Sequence, residues 1–300
     1  TLAFGSECGE TEKLRRAAEA LLREDFSERL RDELSKGLSF AAARESAART
    51  LIGEDAGVLA EPNDILGVEY CKALLQSGST ITPLAMERRA VGHNEGAAGG
   101  FASASYIRVL LAGGEDASAF LTAESAAIYA RECAAGRAPV TMKNAERAIL
   151  SRLRMLEEVD FARYDSGGEG LYRRFYAAVR TAASVDELLG TVKTKRYAYA
   201  RLRRMLFAAY LDIAAAELPQ EIPYLRVLAC NERGRMLLRA IKNEGSAPVL
   251  TKSADVRSLS EEAQRLFALS ARACDQYVLA YPELRAAKGG GAWTQGPVIV

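Results

Sequence analysis

The chain has 300 residues, 40 Lys+Arg against 39 Asp+Glu, a net charge of +1, and 49% hydrophobic and 26% charged residues. This globular composition excludes a disordered tail or a fibre, and near-neutrality excludes nucleic-acid binding by bulk charge, so such binding needs a local patch. Five scattered cysteines with no C-x-x-C pair, and a single histidine, point away from a zinc cluster, a disulfide framework or a His-rich metal site. No apolar run approaches the roughly 20 residues of a membrane span. The opening TLAFGSECGE lacks the regions of a signal peptide, so the expected setting is cytoplasmic with no membrane partner.

Thr1 to Phe4 is an apolar run ending in Gly5-Ser6, which predicts a strand entering a loop and a chain that starts inside a domain. Helical spacing follows from Glu10 to Gly53, with further helices over Phe26 to Leu38 and Phe40 to Leu51. Pro62-Asn63-Asp64 opens another helix, with Asn63 placed to cap it and Gly78 to end it. Thr80 to Arg88 predicts a strand, short or at an edge because of Pro83. A glycine-dense loop from Gly92 to Gly100 leads through Ser103-Ala104-Ser105 into a helix over Tyr106 to Leu111, and a helix over Glu124 to Ala135 follows.

Composition then shifts. Val140 to Val159 predicts one long amphipathic helix, Gly167-Gly168 a break, and Leu171 to Thr181 a helix. Asp186 to Ala215 reads as mostly helix, with Gly190 the candidate interruption. Tyr224 to Cys230 and Val249 to Lys252 read as strands around a helix over Glu232 to Asn243. The last helix, Glu261 to Tyr281, is introduced by a Ser258/Glu261 capping box, and Lys288 to Gly291 is expected to be mobile. The fold class is α/β: a nucleotide-type part over residues 1–135, then a mainly helical C-terminal part over 136–300.

Three places could carry chemistry. Ser103 and Ser105 sit at a helix start, where unpaired N–H groups and the helix dipole favour phosphate, with Arg108 one turn on. Their plain alternative is a capping serine and a solvated arginine, which spacing alone favours. Arg88 and Arg89 end a predicted strand, where open α/β sheets place their ligand crevice; the plain alternative is an exposed basic pair. His93, alone in its loop, carries little weight. Finally, Lys193-Thr194-Lys195-Arg196-Tyr197-Ala198-Tyr199-Ala200-Arg201-Leu202-Arg203-Arg204 holds six basic residues and no acid. On one helix Lys193, Arg196, Arg203 and Arg204 would share a face, with two tyrosines able to stack on bases. A solvated face is the usual alternative, but a local +6 within a global +1 favours RNA.

Several strings together resemble the bacterial tRNA(Met) cytidine acetate ligase family over the whole chain, in the same order. They are Phe4-Gly5-Ser6-Glu7; Glu61-Pro62-Asn63-Asp64-Ile65-Leu66-Gly67-Val68-Glu69-Tyr70; Ile81 to Arg88; Ala102 to Arg108; Lys193 to Arg204; and Gly296-Pro297-Val298. The resemblance implies a partial, Rossmann-like nucleotidyltransferase domain joined to a helical domain that helps hold tRNA. It implies that ATP, with Mg2+, activates acetate as acetyl-adenylate, and that N4 of the wobble cytidine of elongator tRNA(Met) then attacks. Gly5, Asn63 and Arg88 would contact ATP, with Arg89 added as an ATP contact by the strand-end reading, and Ser103, Ser105 and Arg108 match the family's phosphate-holding helix start. Lys193, Lys195, Arg196, Arg201, Arg203 and Arg204 would hold tRNA.

The family's opening strand and its H-x-G-H motif do not occur in these residues. The expectation is therefore a piece lacking the parent's opening segment, unable to adenylate acetate alone; ATP–pyrophosphate exchange by these 300 residues would overturn it. Two other readings stay open: an adenylyltransferase for another small substrate, which would not need the basic segment, and a non-catalytic RNA-binding protein.

Overall fold

The first strand, β1 (Leu2–Ser6), runs parallel to β2 (Pro83–Glu87), with Leu2 opposite Pro83 and Ser6 opposite Glu87. This computed structural model describes residues 1–88, 96–98, 100–165, 170–194 and 196–300. Arg89, His93, Lys195 and the Gly167-Gly168 break lie outside the described residues. The chain divides into two compact units, Thr1–Arg108 and Val109–Val300.

In the first unit the link from β1 to β2 is helical: α1 (Thr11–Leu21), α2 (Phe26–Ser35), α3 (Phe40–Ile52) and α4 (Pro62–Gln76). These match the predicted segments. Alanines make the close packing here, since Ala17 and Ala18 of α1 and Ala43, Ala47 and Ala48 of α3 are fully buried. Leu14, Phe26, Val58, Leu59 and Val68 fill the remaining core. Pro83 is the first residue of β2, a position where its missing N–H breaks no ladder. Gly78 ends α4 as expected, with a φ of +60° that lets the Ser79 N–H reach back to Leu74 O. Beyond β2 come the two-residue strands β3 (Ala97–Ala98) and β4 (Phe101–Ala102), an antiparallel pair, and α5 (Ala104–Gly113).

In the second unit, α6 (Ala123–Ala134) precedes a helical core built from α7 (Glu146–Arg154), α8 (Glu158–Ala162), α9 (Leu171–Thr181), α10 (Val185–Val192) and α11 (Tyr199–Leu211). Phe161, Phe175, Leu153, Leu171, Leu188 and Leu202 are its fully buried centre. The single long helix expected over Val140 to Val159 is corrected to α7 and α8. Asp160 accepts the Glu157 N–H at 2.9 Å and so starts a new helix, while Val140 and Met142 pack on the core outside any helix.

The helix expected across Asp186 to Ala215 is also two, and its break falls at Lys193–Ala198 instead of Gly190, which lies inside α10. Val192 and Tyr197 are both buried. Five residues apart on one helix they would point about 140° from each other, so the chain leaves the helix to bury both.

The strand expected at Tyr224 to Cys230 is two short ones. β5 (Leu225–Arg226) and β6 (Ala229–Cys230) are followed by α12 (Glu232–Glu244), β7 (Val249–Leu250), α13 (Glu261–Tyr277), α14 (Gly291–Thr294) and β8 (Val298–Ile299). β5 pairs with β7 and β6 with β8, both parallel. Ser260, not Ser258, caps α13, by accepting the Ala263 N–H. The segment expected to be mobile is held: Asp275 accepts the Gly290 N–H at 2.7 Å, and Trp293 packs edge-on against Phe267 with ring centroids 4.7 Å apart. Among the described residues, no helix is long and apolar enough to cross a membrane.

Candidate functional site

The carboxyl ends of β1 and β2 are the natural place to look, because a ligand crevice in an open α/β sheet lies beyond them. β1 runs into a loop that meets the start of α4, and two carboxylates, one on each side, accept hydrogen bonds across that junction. The Glu7 carboxylate accepts the N–H groups of Asn63 (3.0 Å) and Asp64 (2.9 Å) and the Asn63 Nδ2 amide. In return the fully buried Asp64 carboxylate accepts the Ser6 hydroxyl, the Glu7 N–H (2.8 Å) and the Cys8 N–H (3.2 Å).

The cap of α4 is thus Glu7, borrowed from the other end of the junction. This corrects the expectation for Asn63, which sits inside the first turn with its side chain turned to Glu7. Burial alone would raise the Glu7 carboxyl, but the bonds from Asn63 and Asp64 outweigh it and hold it below its ordinary value.

Two glycines let this junction close. A Cβ on Gly67 would stand 2.6 Å from the Phe4 ring and 2.9 Å from Leu14 Cδ1, so α4 can lie on β1 only without a side chain there. Tyr70, one turn on, packs against the same Phe4 ring at 5.4 Å. Gly9 turns the loop at φ +65°, and a Cβ there would stand 2.9 Å from that of Glu87.

Gly5 and Arg88 also meet here. The Arg88 N–H donates to Ser6 O at 2.9 Å, and its Cγ lies 3.5 Å from where a Gly5 Cβ would be. The Arg88 side chain is exposed and has no acidic partner among the described residues. The structure therefore brings Gly5, Asn63 and Arg88 to one junction.

Ser103, Ser105 and Arg108 gather separately at the start of α5. Ser103 is buried, and its Oγ accepts the Tyr106 N–H at 3.2 Å, a capping bond; Arg108 donates to Ser105 Oγ at 3.2 Å. Both serines are thus engaged locally, while the first N–H groups of α5 remain a place for an anion.

The basic segment of the second unit splits into two kinds of residue. Arg201 is bound internally: it pairs with the buried carboxylate of Asp165 at 3.2 Å and stacks on the buried ring of Tyr197 at 5.1 Å. Lys193 donates to Thr194 O at 2.6 Å and lies over the Tyr199 ring. Arg203 and Arg204 are exposed on α11 and have no ion pair among the described residues; Arg196 is exposed beside them in sequence. The shared helical face expected for Lys193, Arg196, Arg203 and Arg204 does not exist, because α11 begins only at Tyr199. Of the two tyrosines, only Tyr199 is exposed.

Sequence reasoning missed Glu7, Asp64 and Gly67 as individual residues. All three lie in the strings that carry the resemblance, but nothing in their spacing tells that residues 57 apart hydrogen-bond. Among the described residues, no group of three or more His, Cys, Asp or Glu is placed to hold a metal ion.

Comparison with known proteins adds the rest. The family model for the HIGH Nucleotidyl Transferase family matches residues 1–290. A tRNA(Met) cytidine acetate ligase from Fervidobacterium nodosum is 34% identical over 89% of this chain and 65% of its own length. Enzymes of the same name from Acetivibrio thermocellus and Caldanaerobacter subterraneus are 31% and 34% identical, over 100% and 96% of this chain and 76% and 73% of theirs. The chain thus spans about two thirds to three quarters of the length of these relatives. The crystal structure of Thermotoga maritima TmcAL superposes with a TM-score of 0.91 at 27% identity, over 99% of this chain and 76% of that one. A second form of that protein, bound with alpha-thio ATP, gives 0.89. By sequence and by fold, the chain belongs to the tRNA(Met) cytidine acetate ligase family of HIGH-type nucleotidyltransferases.

Proposed function

We propose that this protein activates acetate with ATP and acetylates N4 of the wobble cytidine of elongator tRNA(Met), in the cytoplasm. An acetate oxygen attacks the α-phosphorus of ATP, and pyrophosphate leaves. The cytidine N4 amine then attacks the acetyl carbon, loses its proton, and AMP leaves. The observation that carries this reading is the junction of Gly5, Asn63 and the unpaired, exposed Arg88 at the carboxyl ends of two parallel strands. There Gly5 leaves room for the Arg88 side chain, whose exposed guanidinium would meet the charge that develops as pyrophosphate departs. Arg89 and the N–H groups at the start of α5, with Ser103, Ser105 and Arg108, would complete the phosphate contacts.

Magnesium enters as the counter-ion of the triphosphate and so as part of the substrate, because the Glu7 and Asp64 carboxylates are engaged in the fold. The first part of the chain, residues 1–135, handles ATP, and the helix-rich part, 136–300, holds RNA. Lys193, Lys195, Arg196, Arg203 and Arg204 meet phosphates. Arg201 positions the segment through Asp165 and Tyr197.

The test is acetate-dependent exchange of labelled pyrophosphate into ATP by the full native gene product, with mass spectrometry of N4-acetylcytidine in digested tRNA(Met). Exchange that requires a different acid, or none at all, overturns the substrate assignment.

A further inference from the structure

α11 carries more than its charges. Between the end of α8, α11 and the turn that follows it lies a recess of about 380 Å³. That is within the range of about 300–1,000 Å³ over which small-molecule pockets fall. Its walls are mainly apolar, with Met205, Phe207, Leu211 and Leu218 among them, and the exposed Arg204 also lines it. One wall is cross-linked: the Tyr164 hydroxyl donates to Asp212 at 2.6 Å, and Asp212 pairs in turn with Arg163 at 3.6 Å. Arg163 and Arg201, which also line the recess, are neutralised by Glu217 and Asp165 at 2.9 and 3.2 Å. Arg204 has no such partner among the described residues, and Phe207, a turn further along the same exposed stripe of α11, is 40% exposed.

A mainly apolar recess whose lining includes a partly exposed ring and an unpaired guanidinium suits an unstacked nucleobase whose phosphate reaches the arginine. A free aliphatic ligand would leave Arg204 unused, and an acidic peptide would not need the ring. We propose that this recess receives an unpaired base of the bound RNA, stacked on Phe207, with Arg204 on the adjoining phosphate. The proposal rests on the RNA reading of the basic segment and deepens it: the segment holds the backbone, and the recess distinguishes a single strand from a duplex.

The test uses the full chain and two labelled probes, a hairpin RNA with an open loop and a fully paired duplex of equal length. Ala215 lines the recess from an exposed position, so Ala215→Trp fills it without touching the core. This variant is expected to weaken hairpin binding about tenfold, roughly the loss that one stacked base accounts for, and to leave duplex binding unchanged. Arg204→Ala is expected to lower the salt slope of hairpin binding by about 0.7–0.9. Circular dichroism of both variants confirms that they fold. Unchanged hairpin affinity in Ala215→Trp, with the wild type binding, overturns the recess alone and leaves it to a protein segment or small molecule. A wild type that binds neither probe overturns the RNA reading together with it.

Discussion

The β1–α4 junction and the Lys193–Arg204 segment stand out in the sequence for opposite reasons, one for its specific string of residues and the other for its charge. In the structure each is part framework and part free surface. At the junction most of the distinctive residues hold the fold: Glu7 caps α4, Asp64 ties the loop, and Gly67 lets Phe4 in, which leaves Arg88 exposed and unpaired among the described residues. In the basic segment Arg201 is framework, while Arg203 and Arg204 are free of ion pairs among the described residues. A conspicuous motif therefore does not sort its residues into structural and functional; their partners do.

Breaking the junction should have the largest effect. Asp64→Ala strands the buried Ser6 hydroxyl and the Glu7 and Cys8 amides, and should cost the first unit about 3 kcal/mol in urea unfolding. Arg88→Ala should leave that stability alone and lower acetate-dependent pyrophosphate exchange in the full gene product about 100-fold, which separates the exposed residue from its framework. Gly67→Ala should destabilise by about 2 kcal/mol despite the better helix propensity of alanine, since the added carbon meets Phe4 and Leu14.

The basic segment gives a finer contrast. Replacing Lys195, Arg196 and Arg203 with alanine should weaken RNA affinity and flatten its salt dependence while the thermal midpoint holds. Arg201→Ala should instead lower the midpoint, because the buried Asp165 loses its guanidinium. An unchanged salt slope in the triple variant would return the segment to a solvated face.

The smallest effect concerns pH. The Glu7 carboxyl is held below its ordinary value of 4.5, so its contribution is complete above that pH and is lost as pH falls through the lower, folded value. Stability of the first unit should therefore fall more steeply with acid in the wild type than in Glu7→Gln, measured by thermal melts below pH 5.

Much of this could be read from the chain itself. The helices of the first unit follow from apolar spacing and their breakers, so α1 to α4 fall where Leu14, Ala17, Ala18 and Gly78 imply. The second unit was less legible at its breaks. A 3.6-residue pattern continues across Val140–Val159 and Asp186–Ala215, and periodicity alone cannot say where a carboxylate such as Asp160 restarts a helix or where Tyr197 must turn inward. The C-terminal glycines looked loose because their anchors, Asp275 and Phe267, lie in a helix well before them.

By itself the sequence determined the helical phases, the gathering of charge in a neutral chain and the resemblance to one ligase family, because these depend on residue type and local order. The tertiary structure alone decided which of those residues are engaged. Glu7 with Asn63, Asp64 with Ser6, and Arg201 with Asp165 pair across 36 to 58 residues. Such pairs form only once burial makes an unpaired polar group costly, and that burial is a property of the folded core, not of the string.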